Sequence, residues 1–412
     1  MRSEIYHNTR MLDRGDIFAP KCLPMIPSEE ARGCQQRLQQ WLLHSAYPLW
    51  ARLGVDRGNG GFYERIAQDG TVLDEPRRAR VQPRQVYAFA QAPALGWQGD
   101  ASAIVERGTA FFLQHYRRDD GLYRTLVAPD GKALDSSAVL YDQAFALLGF
   151  AAARRLLGAD PALDDAATDL FDTLYGALKR VGPGFYSGLP QRFPLLSNPH
   201  MHLFEAALAW CDISAEPGWR TLADELGELA LARFIDPGSG ALREAFDEAW
   251  SPAPGIEGQR VEPGHQFEWA WLLLRWRPQN DGVARRAALR LIEIGEQAGV
   301  RCGMAVDALL DDLTPLESAA RLWPQTERLK AAALAASVTG DSQHWVNAIA
   351  AAKGLLRYFD TPLPGLWYDR LSTEGVFQYG PAPASSFYHI VASVLALTQA
   401  LTESDPSDPS DP

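Results

Sequence analysis

The hydrophobic positions of this chain recur at helical spacing over most of its length. Apolar side chains at i, i+3 and i+4 define pairs of helical segments separated by short glycine-containing stretches. In His265–Trp276 and Ser385–Thr402 the apolar residues run nearly all round, which is typical of buried helices. The pattern predicts about twelve helices, at Ser28–Leu53, Arg84–Leu95, Ala101–Arg117, Val139–Leu157, Asp164–Lys179, His200–Cys211, Trp219–Phe234, His265–Trp276, Gly282–Ala298, Leu316–Ala336, Ser342–Phe359 and Ser385–Thr402.

A phrase that starts with glycine and continues with apolar or aromatic residues separates successive helix pairs. Its glycine predicts a tight turn, and the residues that follow it predict a short extended arm. The spacings between the six copies are 60, 63, 56, 63 and 62 residues, which indicates one supersecondary unit repeated along the chain. The phrase glycines are Gly61, Gly121, Gly184, Gly240, Gly303 and Gly365.

Tandem helix pairs either stack into an open solenoid or close into a ring. The repeats are longer than the roughly 33 to 47 residues of common helical solenoids, so they favour a closed ring. We therefore predict an all-α (α/α)6 barrel with short β-hairpin arms, in which the first helix after each phrase belongs to the inner ring. The barrel is expected to form one catalytic domain over 26–403, with an N-terminal extension at 1–25 and a disordered Ser-Asp-Pro tail at 404–412.

Composition excludes several classes of partner. The net charge of −12 disfavours nucleic acid and anionic membranes. The chain has no apolar stretch of about 18 residues and no secretory signal at its start. Its four cysteines form no CxxC pair, which favours a reducing compartment, and we expect a cytoplasmic protein.

Side chains with catalytic potential lie at the starts of the predicted inner helices, where a closed ring would bring them to one mouth. One such histidine is usually structural, but three at equivalent repeat positions favour a catalytic site. His265 and Glu268 are i, i+3 neighbours, so we expect the carboxylate to orient the imidazole. A helix N-terminus also favours neutral imidazoles. The positions, 18 to 25 residues after a phrase glycine, are Arg84, Asp142, His202, His265, Arg321 and His389.

Two alternatives concern single residues. His200 and His202 could form a metal site, but residues i and i+2 of a helix point to nearly opposite faces, so His200 is assigned a structural role. Trp323 is equally compatible with the core and with stacking on a sugar ring. No metal and no cofactor are predicted.

Five segments resemble signature segments of the N-acylglucosamine 2-epimerase superfamily of sugar isomerases and epimerases, in the same order. The similarity spans about residues 30–402 and is greatest to bacterial D-mannose isomerases of that superfamily. The segments are VQPRQVYAF at 81–89, NPHMHLFEA at 198–206, EPGHQFEWAWLL at 262–273, RLWPQTERLKA at 321–331 and SSFYHI at 385–390.

The resemblance implies an (α/α)6 barrel and a sugar site at the matched positions. It implies that His265 and His389 are the catalytic acid/base pair, with Glu268 beside them. The residues that it implies for substrate binding are Arg84, Asn198, His202, Arg260, Trp323 and Glu327.

The expected activity is aldose–ketose isomerisation of D-mannose and D-fructose, with D-lyxose and D-xylulose as a further candidate pair. Two histidines also suit a sugar 2-epimerase, which needs proton carriers on both faces of C2. An (α/α)6 glycoside hydrolase, which needs two carboxylates, is less favoured, as is a non-catalytic sugar-binding protein. The expected partner is a monosaccharide, and the chain is expected to be a monomer or a homodimer.

Overall fold

The computed structural model describes residues 29–276 and 282–404, and these form a double ring of helices. The N-terminal extension expected at 1–25 and the tail from 405 onward lie outside the described residues. The long helices are α1 Glu29–Trp41, α2 Val81–Ala90, α3 Ala101–Tyr116, α4 Leu140–Leu157, α5 Pro161–Ala177, α6 Ser197–Cys211, α7 Pro217–Leu229, α8 Pro263–Trp276, α9 Gly282–Gly299, α10 Leu322–Thr339, α11 Ser342–Tyr358 and α12 Ser385–Glu403.

The even-numbered helices form the inner ring. Each packs against the next, and α12 packs against α2, so the ring closes. Their side chains are buried on almost every side, as the all-round apolar pattern predicts. An outer helix such as α9 instead buries one stripe, with Ala284, Ala288 and Leu291 inward and Arg286 and Arg290 exposed. The (α/α)6 barrel is therefore confirmed.

Short antiparallel strand pairs join each repeat to the next at the N-terminal ends of the inner helices. The last pair, β1 with β16, links the first repeat to the sixth, with Arg65 opposite Pro383 and Ile66 opposite Ala382. The strands are β1 Arg65–Ile66, β2 Arg77–Arg78, β3 Leu126–Val127, β4 Ala133–Asp135, β5 Ala138–Val139, β6 Gly188–Leu189, β7 Leu195–Leu196, β8 Ala245–Phe246, β9 Arg260–Val261, β10 Val300–Arg301, β11 Met304–Ala305, β12 Ala308–Leu310, β13 Pro315–Glu317, β14 Ala320–Arg321, β15 Arg370–Leu371 and β16 Ala382–Pro383. The inter-repeat pairs are β2 with β3, β5 with β6, β7 with β8, β9 with β12, β14 with β15, and β1 with β16.

One predicted helix start is wrong. Pro315–Glu317 is a strand that pairs with β12, and the helix begins only at Leu322. Pro324 in the first turn suits this later start, because its missing N–H has no intrahelical partner there anyway.

The phrase glycines make the tight turns that the sequence predicts. All six have φ between 70° and 99°, a region that only glycine adopts freely. At Gly61 a Cβ atom would also lie 2.6 Å from the side-chain oxygen of Gln82, so the site is closed to larger residues.

A buried side chain on the following inner helix holds the backbone just after each of five phrase glycines. The amide of Gln143, for example, accepts from the N–H of Tyr123 and donates to its carbonyl, both at 2.8 Å. His200 makes the corresponding bond to the N–H of Phe185, which confirms its structural role. The holding residues are Gln82, Gln143, His200, Gln266 and Gln325.

Among the described residues, none of the helices combines the length and apolarity that crossing a bilayer requires.

We expect Gln143→Leu to destabilise the fold by about 2–4 kcal/mol, because it leaves two buried backbone groups of Tyr123 without a partner. Denaturant unfolding followed by circular dichroism measures the change. Gln343→Leu, at an exposed position of α11, is the matched control and should change stability by no more than about 0.5 kcal/mol. Equal stability of the two variants would contradict a holding role for the buried amide.

Candidate active site

A cavity of about 370 Å3 opens at the N-terminal ends of the inner helices. The structure brings most of the sequence-predicted site residues to it from five different inner helices. Trp323, for which a core position and a sugar-stacking position were equally compatible with the sequence, lies in the wall of this cavity. The predicted residues that line the cavity are Arg84, Asn198, His202, His265, Glu268, Trp323 and His389.

Two of the residues that the resemblance implies for substrate binding do not line this cavity, and neither does Asp142, which is fully buried and pairs with Arg80 at 2.9 Å. The guanidinium of Arg260 bonds to Glu262 at 3.1 Å and to Glu317 at 2.8 Å, and these two ion pairs hold it outside the cavity. Glu327 is fully buried and contacts His389 from the protein side. The resemblance implies that these two side chains bind the sugar directly, but neither of them lines the cavity.

His265 is bonded to a carboxylate that the sequence analysis did not identify. Its Nδ1 lies 2.9 Å from Glu244 Oε2, and Glu262 Oε2 is 3.8 Å away. The expectation that Glu268 orients His265 is wrong, because Glu244 on the preceding phrase occupies Nδ1. Burial favours the neutral ring, but the charges of Glu244 and Glu262 outweigh it and raise the pKa of His265 to about 9. His265 is thus an imidazolium at neutral pH, contrary to the expectation from its helix N-terminus.

His389 is bonded to a carboxylate in the same way but is in a different charge state. Its Nδ1 lies 2.7 Å from Glu327 Oε1, which leaves Nε2 for the cavity. Burial, with the positive charges of Arg84 and Lys330, holds the pKa of His389 well below its usual range. The ring is neutral and able to accept a proton.

The indole of Trp323 lies close to both imidazoles. Ring centroids are 5.0 Å apart for Trp323 and His265 and 5.7 Å apart for Trp323 and His389. A sugar stacked on this indole would meet both rings, since both line the same cavity.

The cavity floor holds a carboxyl group and a third imidazole. Oε1 of Glu268 is buried and has no hydrogen-bond partner among the described residues, and burial together with the charge of Glu327 raises the pKa of Glu268 well above its usual range. The raised pKa favours the protonated carboxyl, which can donate a hydrogen bond. Burial lowers the pKa of His202 to about 3, although its Nδ1 lies 3.3 Å from Glu205 Oε2. His202 and Glu205 are i, i+3 neighbours, so this contact lies within helix α6.

Arg84 is a buried cation without a carboxylate partner among the described residues. Its guanidinium donates to the hydroxyl of Tyr141 and lies 4.0 Å from the ring centroid of Phe145. It is only 6% exposed and lines the cavity, so its charge is available to an oxyanion there.

Beneath the cavity, two buried triplets bring possible metal-ligand atoms within 4.8 Å of one another. They are His202, Glu205 and Glu268, and Glu268, Glu327 and His389. The ammonium of Lys330 lies 2.7 Å from Glu327 Oε2 and supplies a positive charge among these carboxylates. We infer that Lys330, and not a metal ion, balances the negative charge of these carboxylates. That the enzyme needs no metal stays a prediction.

The phrases that locate the site along the sequence also contribute residues to it, which was not predicted. Four of them end in an acidic residue, four positions after a glycine, that contacts the start of the next inner helix or the arm leading to it. The recurrence of this acidic residue in the sequence was the signal that could have revealed these contacts. The contacts are Glu64 with Arg78, Glu244 with His265, Asp307 with Arg321, and Asp369 with Ser386.

Comparison with known proteins agrees with this arrangement. A family model described as N-acylglucosamine 2-epimerase matches residues 61–393. The chain is 45% identical over 374 residues to a mannose-6-phosphate isomerase of Rhizobium meliloti, covering 88% of this chain and 96% of the relative. It is 23% identical to a D-mannose isomerase of Marinomonas mediterranea, covering 83% and 92%.

Among solved structures, a D-mannose isomerase superposes with a TM-score of 0.82 at 19% identity, covering 91% of this chain and all of that one. Taken with the match to residues 61–393, these findings mean that the chain belongs to the N-acylglucosamine 2-epimerase family.

Proposed function

We propose that the chain is an aldose–ketose isomerase that interconverts D-mannose and D-fructose, with D-lyxose and D-xylulose as a further substrate pair. Membership of the family supports the broader class, a sugar isomerase or epimerase. The observation that carries the proposal is a pair of imidazoles in one cavity, beside one indole, of which one is cationic and the other neutral. One ring is ready to donate a proton and the other to accept one.

The proposed reaction begins with ring opening, in which His265 as imidazolium protonates the ring oxygen while the bond from that oxygen to C1 breaks. His265 then takes up the proton of the C1 hydroxyl, which becomes the carbonyl, and is an imidazolium again. Neutral His389 then removes the proton from C2, which is acidic because C1 is a carbonyl. Arg84 and the protonated Glu268 stabilise the negative charge that develops on the enediolate oxygens. His389 returns the proton to C1, and His265 exchanges the hydroxyl proton between O2 and O1, which yields the ketose.

A 2-epimerase is the second candidate. The imidazolium of His265 lies close to the same indole as His389, and in this alternative it returns a proton to the opposite face of C2. The two reactions share the first proton transfer and differ only in where the proton returns.

The substrate could also carry a phosphate at its far end. Arg78 and Arg370 line the cavity, and Arg370 is exposed and forms no ion pair in the described part of the chain. The 45% identical relative is named for a phosphorylated mannose. We therefore include D-mannose 6-phosphate as a candidate substrate of the same reaction.

Incubation of D-mannose with the enzyme in D2O, followed by NMR, should give fructose that carries deuterium at C1. His265→Ala and His389→Ala should each lower turnover by about 10²–10⁴-fold, because each removes one proton carrier. His44→Ala, at an exposed position of the outer ring, is the matched control and should keep wild-type turnover. Glucose as the product would favour the 2-epimerase instead, and wild-type turnover in both active-site variants would exclude the assignment.

Glu244→Gln should move the basic limb of the kcat/KM profile to lower pH. The charge of Glu244 helps raise the pKa of His265 to about 9, so activity that needs the imidazolium is lost as pH rises through that value. Without the charge the pKa falls, and the same loss occurs at lower pH. A pH–rate series measures the shift, and Glu248→Gln at an exposed position is the control. An unmoved basic limb would mean that His265 is not the acid.

Arg370→Gln should separate the two substrate forms. We expect it to raise KM for D-mannose 6-phosphate by about tenfold or more and to leave KM for D-mannose unchanged, because the lost charge–phosphate contact exists only with the ester. Steady-state kinetics with both sugars measure this. Arg286→Gln on the outer face of α9 is the control. Equal effects on both sugars would argue against a phosphate contact at Arg370.

A further inference from the structure

Lys330 lies beneath the candidate active site, one helical turn after Glu327 on α10. Its side chain is fully buried, and Nζ is 2.7 Å from Glu327 Oε2. The other oxygen of the same carboxylate lies 2.7 Å from Nδ1 of His389. An ammonium, a carboxylate and an imidazole therefore follow one another in a row that ends at the cavity.

Burying a lysine is costly, and a structural role explains this one poorly. Among the described residues its ammonium pairs only with Glu327 and otherwise lies 4.1 Å from the ring centroid of Trp271. Paired apolar replacements of a buried ion pair are often neutral or stabilising, so the fold alone does not call for a charge here.

The second imidazole provides an internal comparison. His265 bonds through Nδ1 to Glu244 just as His389 bonds to Glu327, and both rings are buried. Glu244, however, forms no ion pair with a lysine or arginine in the described part of the chain, whereas Glu327 is shared with Lys330. The two imidazole–carboxylate pairs thus differ in this cation, and His265 has in addition the second carboxylate of Glu262 at 3.8 Å.

We propose that Lys330 is a positioning residue that keeps His389 neutral by balancing the charge of Glu327, while Glu327 still holds the orientation of the ring. A carboxylate without this cation would instead favour the imidazolium, as Glu244 does at His265. The proposal rests on the proposed function in so far as neutral His389 is the base of that reaction.

Other groups around His389 act in the same or the opposite direction. Arg84 and His265 oppose its protonation, whereas the charge of Glu205 favours it. Helix α4 contributes only the phenol of Tyr141 to the cavity. The titratable groups around His389 besides Glu327 and Lys330 are Arg84 on α2, His202 and Glu205 on α6, His265 and Glu268 on α8, and Tyr388 on α12.

The test is an NMR titration of histidine labelled with 15N, which reports the charge of each imidazole without any turnover. His389 is identified by the resonance that disappears in His389→Gln. In the wild-type protein we expect His389 to stay neutral from pH 7 down to about pH 5 while His265 is protonated at pH 7. In Lys330→Met we expect the pKa of His389 to rise by about one pH unit or more, a tenfold change in its protonation equilibrium.

Lys330→Arg keeps the charge and is the matched variant. It should leave His389 neutral over the same range, even if the larger side chain lowers turnover. An upward shift in Lys330→Arg as large as in Lys330→Met would overturn the proposal, and so would an unchanged His389 in Lys330→Met. If Lys330→Met does not fold, a His389 imidazolium at pH 7 in the wild-type protein overturns it, and a neutral ring there with the same state in Lys330→Arg supports it.

Turnover gives a second, separable readout. In Lys330→Met the acidic limb of the pH–rate profile should move to higher pH, because the base is protonated earlier. If no sugar is converted by the wild-type enzyme, the proposed function fails while the titration result for Lys330 stands. If sugar is converted and the titration shows no dependence on Lys330, only the role of the lysine fails.

Discussion

Closure of the ring between the first and the last repeat is the constraint on which the rest of the structure depends. The strand pair β1–β16 makes this contact, and two hydrogen bonds reinforce it: Ala384 donates to the carbonyl of Glu64 at 2.8 Å, and Gln85 donates to the carbonyl of Ala384 at 2.7 Å. Arg84 and His389 are far apart in sequence and line one cavity only because of this closure. An open stack of the same repeats would leave them at opposite ends.

Much of this architecture could be predicted from the sequence, because it depends on local signals. The apolar period defines the helices, and a glycine with positive φ defines each turn. The convergence of His265 and His389 followed from their equivalent places in the repeat. These features require no knowledge of which side chains meet across the barrel.

The charge states could not be predicted in the same way. The i, i+3 spacing pointed to Glu268 as the partner of His265, but the imidazole meets Glu244 on the preceding phrase, a tertiary contact. Lys330 was equally hidden, since nothing in a helical pattern distinguishes a buried lysine from a solvated one. Local spacing places a residue on a helix face, whereas its protonation depends on the sum of charges from several helices.

In the repeats that begin at Gly61, Gly240 and Gly303, two sets of residues have separate roles. The phrase glycine and the buried amide that holds the arm fix the geometry, whereas the acid at the end of the phrase and the residue it meets set the chemistry of that station. Glu244 with His265 and Asp307 with Arg321 show two different outcomes on the same frame. The barrel therefore presents equivalent helix starts whose site residues can change one repeat at a time, while the glycine turns and the buried amides keep the backbone in place.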